Sequence, residues 1–195
     1  MQDNTGNTSR ELLIGSLLLL VLVITRSGIT RSHFGTDINL PDASWAMFWL
    51  LGVLTHQRGW PMASMACCVA VDYFVIAGGV AADCFTPAYV FLIPAYGALW
   101  LSGRWLRRQT TDKYLLRTAT SLVAGVSACF AISNLGFYLA SGYSGEMSMS
   151  AYAAAVARYW PHYLLHASVY AGAGLLIAYI AQHRAALFHR TGRTD

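Results

Sequence analysis

The sequence Ala-Asp-Cys-Phe-Thr-Pro-Ala-Tyr, residues 82–89, is a short polar break between two long apolar runs. An acid, a thiol, a hydroxyl and a proline occur together there, where a helix that crosses a membrane would reach the surface. Pro87 suits the first turn of the following helix, so residues 83–86 are predicted to lie at a helix N-terminus. The free N–H groups and the dipole of such a terminus favour a thiolate, which makes Cys84 the first candidate for chemistry.

The composition of the chain predicts an integral membrane protein. Of its 195 residues, 56% are hydrophobic and only 11% are charged, whereas about 25% are charged in an ordinary soluble domain. The formal charge of +4 comes from basic residues beside apolar runs, without interleaved aromatic residues, and this pattern argues against nucleic-acid binding. The sequence has no Gly-rich phosphate loop, no Ser-His-Asp order and no paired-carboxylate site, so ATP hydrolysis by this chain is not expected.

Six apolar runs predict an all-α fold, a single membrane domain of six transmembrane helices over residues 1–195. The spans are expected at about 11–26, 44–56, 61–82, 86–103, 116–140 and 160–183. No small-x-small cleavage pattern follows the first run, so it is interpreted as a retained helix and not as a signal peptide. Residues 150–159 are a candidate for a further helix that lies on the membrane surface.

The distribution of basic residues predicts the orientation of the chain. Six spans place both termini on one side, and ten of the 13 Lys and Arg residues then lie on that side. By the positive-inside rule the termini are cytoplasmic, and the first, third and fifth loops face outward. We therefore expect Cys84 to face outward, which in the inner membrane of a bacterium is the oxidising periplasmic side.

The depth of each cysteine separates Cys84 from the other three. Cys67, Cys68 and Cys129 lie within apolar runs, where a thiol packs as a small hydrophobe. Cys84 lies at a loop boundary and has no obvious partner at matching depth. A thiolate is both a soft ligand and a nucleophile, so metal binding and covalent chemistry stay open, as does a helix-end cysteine without a role.

Asp72 and the outer tyrosines are the next candidates. Asp72 interrupts the third run near its middle, and an ionisable group at bilayer depth is a functional-site hypothesis by default. A hydrogen bond to Asn134 or Tyr73 is the simpler alternative. Six tyrosines cluster toward the outer half or its loops, where they act as interface anchors or together line a broad cavity: Tyr89, Tyr96, Tyr143, Tyr159, Tyr163 and Tyr170.

The histidines suggest a competing class of function. His162 and His166 are spaced i, i+4 at the outer end of the sixth span, a spacing at which two side chains can share a metal ion. His33, in the outward first loop, is placed to join Cys84. A membrane enzyme with zinc or iron at these four residues is one alternative, and a thiol-redox protein that uses Cys84 alone is another.

The arrangement of the spans, with long outward first and fifth loops and the sequence Asp83-Cys84-Phe85-Thr86-Pro87 before the fourth span, resembles the BtuM family of small bacterial cobalamin transporters. That family is similar in fold to the substrate-binding S-components of energy-coupling factor (ECF) transporters. The resemblance implies an outward cavity closed by the odd-numbered loops, with the thiol at the position of Cys84 bound to the cobalt of the corrinoid. Asp72, Tyr89, His33 and Asp83 are further expected site residues, from their place and polarity.

The resemblance implies binding and uptake of cobalamin, with the corrinoid and membrane lipid as partners. The corrin ring fills four cobalt positions, so one thiolate suffices as an axial ligand. A strongly donating thiolate should weaken the bond to a cyanide opposite, and we hypothesise that binding promotes decyanation of cyanocobalamin. The first span, LLIGSLLLL at residues 12–20, lacks the Ala-x-x-x-Ala pattern of S-components that dock on a shared energising module, which puts dependence on that module in doubt. Uptake of another vitamin by an S-component-like importer is the alternative.

Overall fold

The computed structural model describes residues 3–27, 41–77, 87–109, 113–140 and 145–191. All regular structure in these ranges is helical, so the predicted all-α fold is confirmed for the part of the chain described. A 3-10 helix, Pro87–Phe91, leads directly into the fourth α-helix. The α-helices are α1 Asp3–Arg26, α2 Ser44–Leu54, α3 Gly59–Ala77, α4 Leu92–Arg107, α5 Tyr114–Ala140, α6 Met149–Ala157 and α7 Trp160–Thr191.

The helix boundaries depart from the predicted spans mainly at their polar ends. Helix α1 begins at Asp3 and helix α7 continues to Thr191, because backbone hydrogen bonding continues into polar sequence that hydropathy alone leaves out. Helix α3 begins at Gly59 and is described as far as Ala77. A helix is present where one was predicted over residues 150–159, as α6, and the Ser148 hydroxyl caps its first turn by accepting a hydrogen bond from the Ala151 N–H; its place on a membrane surface stays a prediction.

Three helices in the described part of the chain are long and apolar enough to cross a membrane. They are Thr8–Arg26 within α1, Tyr114–Ala140 and Trp160–His183 within α7. Helix α2 and the segment Gly59–Val75 of α3 are apolar but shorter. The 11 residues of α2 extend only about 16 Å, roughly half of a typical hydrocarbon core. The number of membrane crossings therefore stays a prediction.

Helix α2 forms the centre of the helical assembly. Residues 46–51 are almost completely buried around the whole circumference of the helix, and α1, α3, α4 and α7 all contact it. The surrounding helices expose large apolar side chains on their outer faces, including Leu13 at 61%, Leu115 at 84% and Ile177 at 67%. Extended apolar faces are unusual on water-soluble monomers, so this surface is compatible with a membrane protein.

Two glycines let α2 and α4 approach each other closely. A Cβ atom on Gly52 would overlap the carbonyl oxygen of Trp100, and one on Gly103 would overlap the carbonyl oxygen of Trp49. Each glycine thus meets the backbone of the other helix, which cannot move aside as a flexible side chain can. The contact between α2 and α4 consequently depends on the absence of side chains at both positions.

Hydrogen bonds at opposite ends of α1 fix it antiparallel to α2. At one end, the Glu11 carboxylate accepts hydrogen bonds from the backbone N–H groups of His56 and Gln57, just after α2. At the other end, the Thr25 hydroxyl accepts from the backbone N–H of Ala43, just before α2. We call these the Glu11 end and the Arg26 end of the protein. Arg10 and Arg26 are about 24 Å apart along the helix axis.

Candidate functional site

An ion pair between Arg26 and Asp72 lies at the centre of the candidate site. The Arg26 Nε donates to Asp72 Oδ1 at 2.7 Å, and its Nη2 donates to Oδ2 at 2.5 Å. This two-pronged geometry matches a planar guanidinium to a planar carboxylate and is stronger than a single contact. The side chains are only 11% and 13% exposed, so water competes little for either group. The pair joins the last residue of α1 to the last turns of α3.

The third nitrogen of the Arg26 guanidinium ties the same pair to α2 and α4. Arg26 Nη1 donates to Asp42 Oδ2 at 3.1 Å, to the Ser44 hydroxyl at 3.2 Å and to the Tyr96 hydroxyl at 3.1 Å. The Ser44 hydroxyl in turn donates to Asp42 Oδ1 at 2.6 Å. One arginine therefore holds four helices together at this end, with two carboxylates around a single cation.

Tyr89 completes this network from the 3-10 helix that precedes α4. Its hydroxyl donates to Asp72 Oδ2 at 2.6 Å. Asp72 and Tyr89 stand on either side of residues 78–86 in the sequence. The contact between them fixes the two stems of that segment, meaning the helical residues on either side of it, against each other. The structure thus brings together two of the predicted site residues, Asp72 and Tyr89.

A small cavity with an aromatic wall lies next to Tyr89. Its volume is about 250 Å³, and it is lined by Tyr89, Leu92, Ser133, Asn134, Phe137 and Tyr163, with Ala88 at its edge. The Tyr163 ring stacks on Trp45 with centroids 4.6 Å apart, and it contacts Phe130 at 5.7 Å. Ring contacts thus fix the position of Tyr163, and the cavity combines apolar and hydrogen-bonding surfaces.

Four of the six predicted outer tyrosines are found at the Arg26 end. Tyr89 and Tyr96 belong to the Arg26 network, Tyr163 lines the cavity, and the Tyr170 hydroxyl donates to the carbonyl oxygen of Pro41 at 2.9 Å. Tyr159 is exposed and its ring contacts Arg158. Tyr143 lies outside the described residues.

Three predicted site residues also lie outside the described residues: Cys84, Asp83 and His33. Their predicted roles stay predictions. The simpler alternative for Asp72, a hydrogen bond to Asn134 or Tyr73, is not observed: Asn134 donates to the carbonyl oxygen of Phe130, and Tyr73 is 63% exposed. Asp72 is paired with Arg26 instead, since a buried carboxylate is stabilised far more by a full opposite charge than by an amide or a phenol.

The remaining cysteines and histidines give no metal cluster in the described ranges. Cys68 and Cys129 are buried, as predicted for thiols that pack as small hydrophobes, and Cys67 is half-buried. The rings of His162 and His166 are 6.5 Å apart. No three His, Cys, Asp or Glu side chains among the described residues are close enough to hold a metal ion together.

The residue that the sequence analysis missed is Arg26. In the charge distribution it is one of the three basic residues on the outward side, and nothing more is predicted for it. The available signal was indirect: an acid inside an apolar run requires a cation at a similar depth, and Arg26 directly ends the first apolar run. Choosing this arginine over Arg31 or Arg58 required knowing which helices are neighbours.

Comparison with models of protein families and with curated proteins finds no match for this chain.

Proposed function

We propose that the protein binds a corrinoid such as cobalamin at the Arg26 end and takes part in its uptake across the bacterial inner membrane. The observation that carries the proposal is the hydrogen bond between Asp72 and Tyr89, which fixes the stems of residues 78–86 beside an aromatic cavity. Cys84 belongs to this segment. A thiol between two anchored stems suits a ligand that approaches from the Arg26 end.

The chemistry of the substrate fits a single protein thiolate. The corrin ring supplies four of the cobalt ligands, so Cys84 alone suffices at one axial position. The substrate is large, and its ring and amide side chains offer apolar faces and hydrogen-bonding groups. Tyr163, Ser133 and Asn134 of the cavity are suited to contact one edge of such a molecule.

Binding of cyanocobalamin is proposed to release cyanide without any change of oxidation state. The Cys84 thiolate would donate an electron pair to cobalt(III) in place of the ligand's own base, which leaves with its lone pair, and the cobalt–carbon bond opposite would then break with its electron pair on the leaving cyanide anion. The cobalt–sulfur bond replaces one axial bond, so no reductant is needed. A corrinoid that keeps its cyanide when bound would refute this step.

Placement in the membrane is part of the same proposal. Six crossings, with both termini in the cytoplasm, would put the Arg26 network at the periplasmic surface and the Glu11 end at the cytoplasmic one. The separation of about 24 Å between Arg10 and Arg26 approaches the thickness of a hydrocarbon core, about 30 Å. Helix α2 is short, but its backbone is enclosed by other helices, and such backbone is tolerated at membrane depth.

The test is an absorption spectrum of protein purified from cells that are given cyanocobalamin. Wild type is expected to carry a corrinoid with a spectrum shifted from the free molecule, and Cys84→Ala is expected to lack the shift. Cys67→Ala, which removes a half-buried thiol of α3, is the matched control and should behave as wild type.

A colourless wild-type protein would refute the proposed substrate. A corrinoid that binds equally to wild type and to Cys84→Ala would refute the axial thiolate while leaving the substrate intact. Normal binding of a different vitamin by Cys84→Ser would identify the alternative function, an S-component-like importer of another vitamin. Zinc or iron found by elemental analysis, and lost with His162→Ala, would identify a metal enzyme instead.

A further inference from the structure

A long groove lies between α1 and α7 and runs from the Glu11 end toward the Arg26 end. Both helices contact α2, and the space between them is a cavity of about 720 Å³ whose floor includes Met47, Leu50 and Val53 of α2. Its walls are apolar over most of their length, with Leu13, Leu17 and Val21 on one side and Ile177 on the other. The groove is thus suited to an apolar chain.

The groove changes character at the Glu11 end, where its lining becomes basic and polar. Arg10, Arg107, His56 and Gln182 line this end together with Glu11. The Arg107 Nη1 atom is buried and has no hydrogen-bond partner among the described residues. A buried donor on a cation is costly unless an acceptor meets it, and an anionic oxygen is the strongest acceptor for a guanidinium.

Glu11 does not cancel this positive end. Its carboxylate is engaged by the backbone N–H groups of His56 and Gln57, which offset part of its negative charge. Two arginines remain at the same end of an apolar groove. The charge therefore complements a ligand with one negative group joined to a hydrocarbon chain.

The length of the groove matches one leaflet of a membrane. Its lining on α1 runs from Arg10 to Val21, which is about 16 Å along the helix axis. Half of a hydrocarbon core is about 15 Å. We propose that this groove binds an anionic phospholipid of the cytoplasmic leaflet, with one acyl chain on α2 between α1 and α7 and its phosphate at Arg107 and Arg10. The inference rests on the membrane placement proposed above and is independent of the corrinoid.

The experiment counts bound lipids by native mass spectrometry of the full chain. Protein in detergent micelles is titrated with phosphatidylglycerol or with phosphatidylcholine that carries the same acyl chains. Wild type is expected to retain one phosphatidylglycerol. Replacement of Arg107 by Gln should weaken retention about fivefold, since a basic residue near a membrane surface contributes about 1 kcal/mol toward anionic lipid. Arg107→Lys should bind as wild type.

Two further variants separate the groove from general charge and from folding. Arg108→Gln removes the neighbouring exposed charge, which does not line the groove, and should leave lipid retention unchanged. Ala181→Trp places a large side chain at an exposed position of the groove wall and should abolish retention without disturbing the core. If circular dichroism shows that Arg107→Gln does not fold, the comparison of lipid retention between Ala181→Trp and wild type still tests whether the lipid occupies the groove.

Several results would overturn the proposal. Equal retention of the two lipids, or equal effects of Arg107→Gln and Arg108→Gln, would contradict a site for an anionic headgroup. A dimer that Ala181→Trp separates, with an unchanged lipid count, would identify a second copy as the occupant. A protein that needs detergent but retains no phospholipid would refute only the proposed lipid site. A chain that is stable without detergent would refute the proposed membrane placement as well.

Discussion

Replacing Asp72 with Asn tests whether the ion pair at the Arg26 end stabilises the fold. The substitution keeps the shape of the side chain and removes its charge, so the nearly buried Arg26 loses its two-pronged partner. Removing one member of a buried pair typically costs about 3–5 kcal/mol. Arg26 keeps Asp42 at 3.1 Å, so we expect the lower end of that range, about 3 kcal/mol. That corresponds to a more than 100-fold loss in the ratio of folded to unfolded protein.

The matched control is Asp42→Asn, which removes the other carboxylate of the same arginine. Asp42 is 36% exposed and makes a single contact to Arg26, so the expected cost is within about 1 kcal/mol. The double variant Arg26→Met/Asp72→Leu removes both charges and should recover most of the stability, because an apolar pair avoids the desolvation of two ions. The three variants thus have distinct expected stabilities.

The assay is unfolding in mixed micelles of a mild detergent and dodecyl sulfate, followed by far-ultraviolet circular dichroism. The free energy of unfolding is compared among wild type, Asp72→Asn, Asp42→Asn and the double variant. If Asp72→Asn and Asp42→Asn are equally stable, the ion pair between Arg26 and Asp72 does not hold the helices together. A double variant as unstable as Asp72→Asn would indicate that Arg26 and Asp72 contribute through contacts other than their pairing.

The remaining predictions concern helix contacts and the stems of the Cys84 segment. Gly103→Ala should destabilise the fold by roughly 1–3 kcal/mol, because the added Cβ overlaps the α2 backbone. The control is Gly97→Ala on the same helix, where the space beside the glycine is open and the change should be neutral or stabilising. The same unfolding assay measures both. Ser121→Ala should lower the free energy of unfolding by about 1–3 kcal/mol, because it leaves the buried Trp49 N–H unpaired. The control is Thr120→Ala, which removes an exposed hydroxyl of the same helix. If the two variants are equally stable, the hydrogen bond to Trp49 is not the reason. Tyr89→Phe should lower the amount of corrinoid retained, measured by absorption, while the free energy of unfolding of the same samples changes little. A loss of stability without a loss of corrinoid would assign Tyr89 a structural role only.

The class of fold and the approximate positions of the helices could be predicted from the amino-acid sequence. Hydrophobicity along the chain is a local property, so apolar runs located the helices, although the polar ends of α1 and α7 were missed. The burial of Cys68 and Cys129 followed from the same local signal. The tyrosines that meet at the Arg26 end were also predicted to lie near one another.

Only the tertiary structure decided which helices are neighbours and hence which charges are paired. Helix α2 is the shortest of the predicted spans, yet it is the centre of the assembly, because Gly52 and Gly103 allow its backbone to meet that of α4. The choice of Arg26 as the partner of Asp72 depends on α1 and α3 lying side by side, at a sequence separation of 46 residues. The groove between α1 and α7 likewise arises because both helices lie against α2 with space between them. Such neighbours depend on the shapes of packed surfaces, which hydrophobicity along a single chain does not contain.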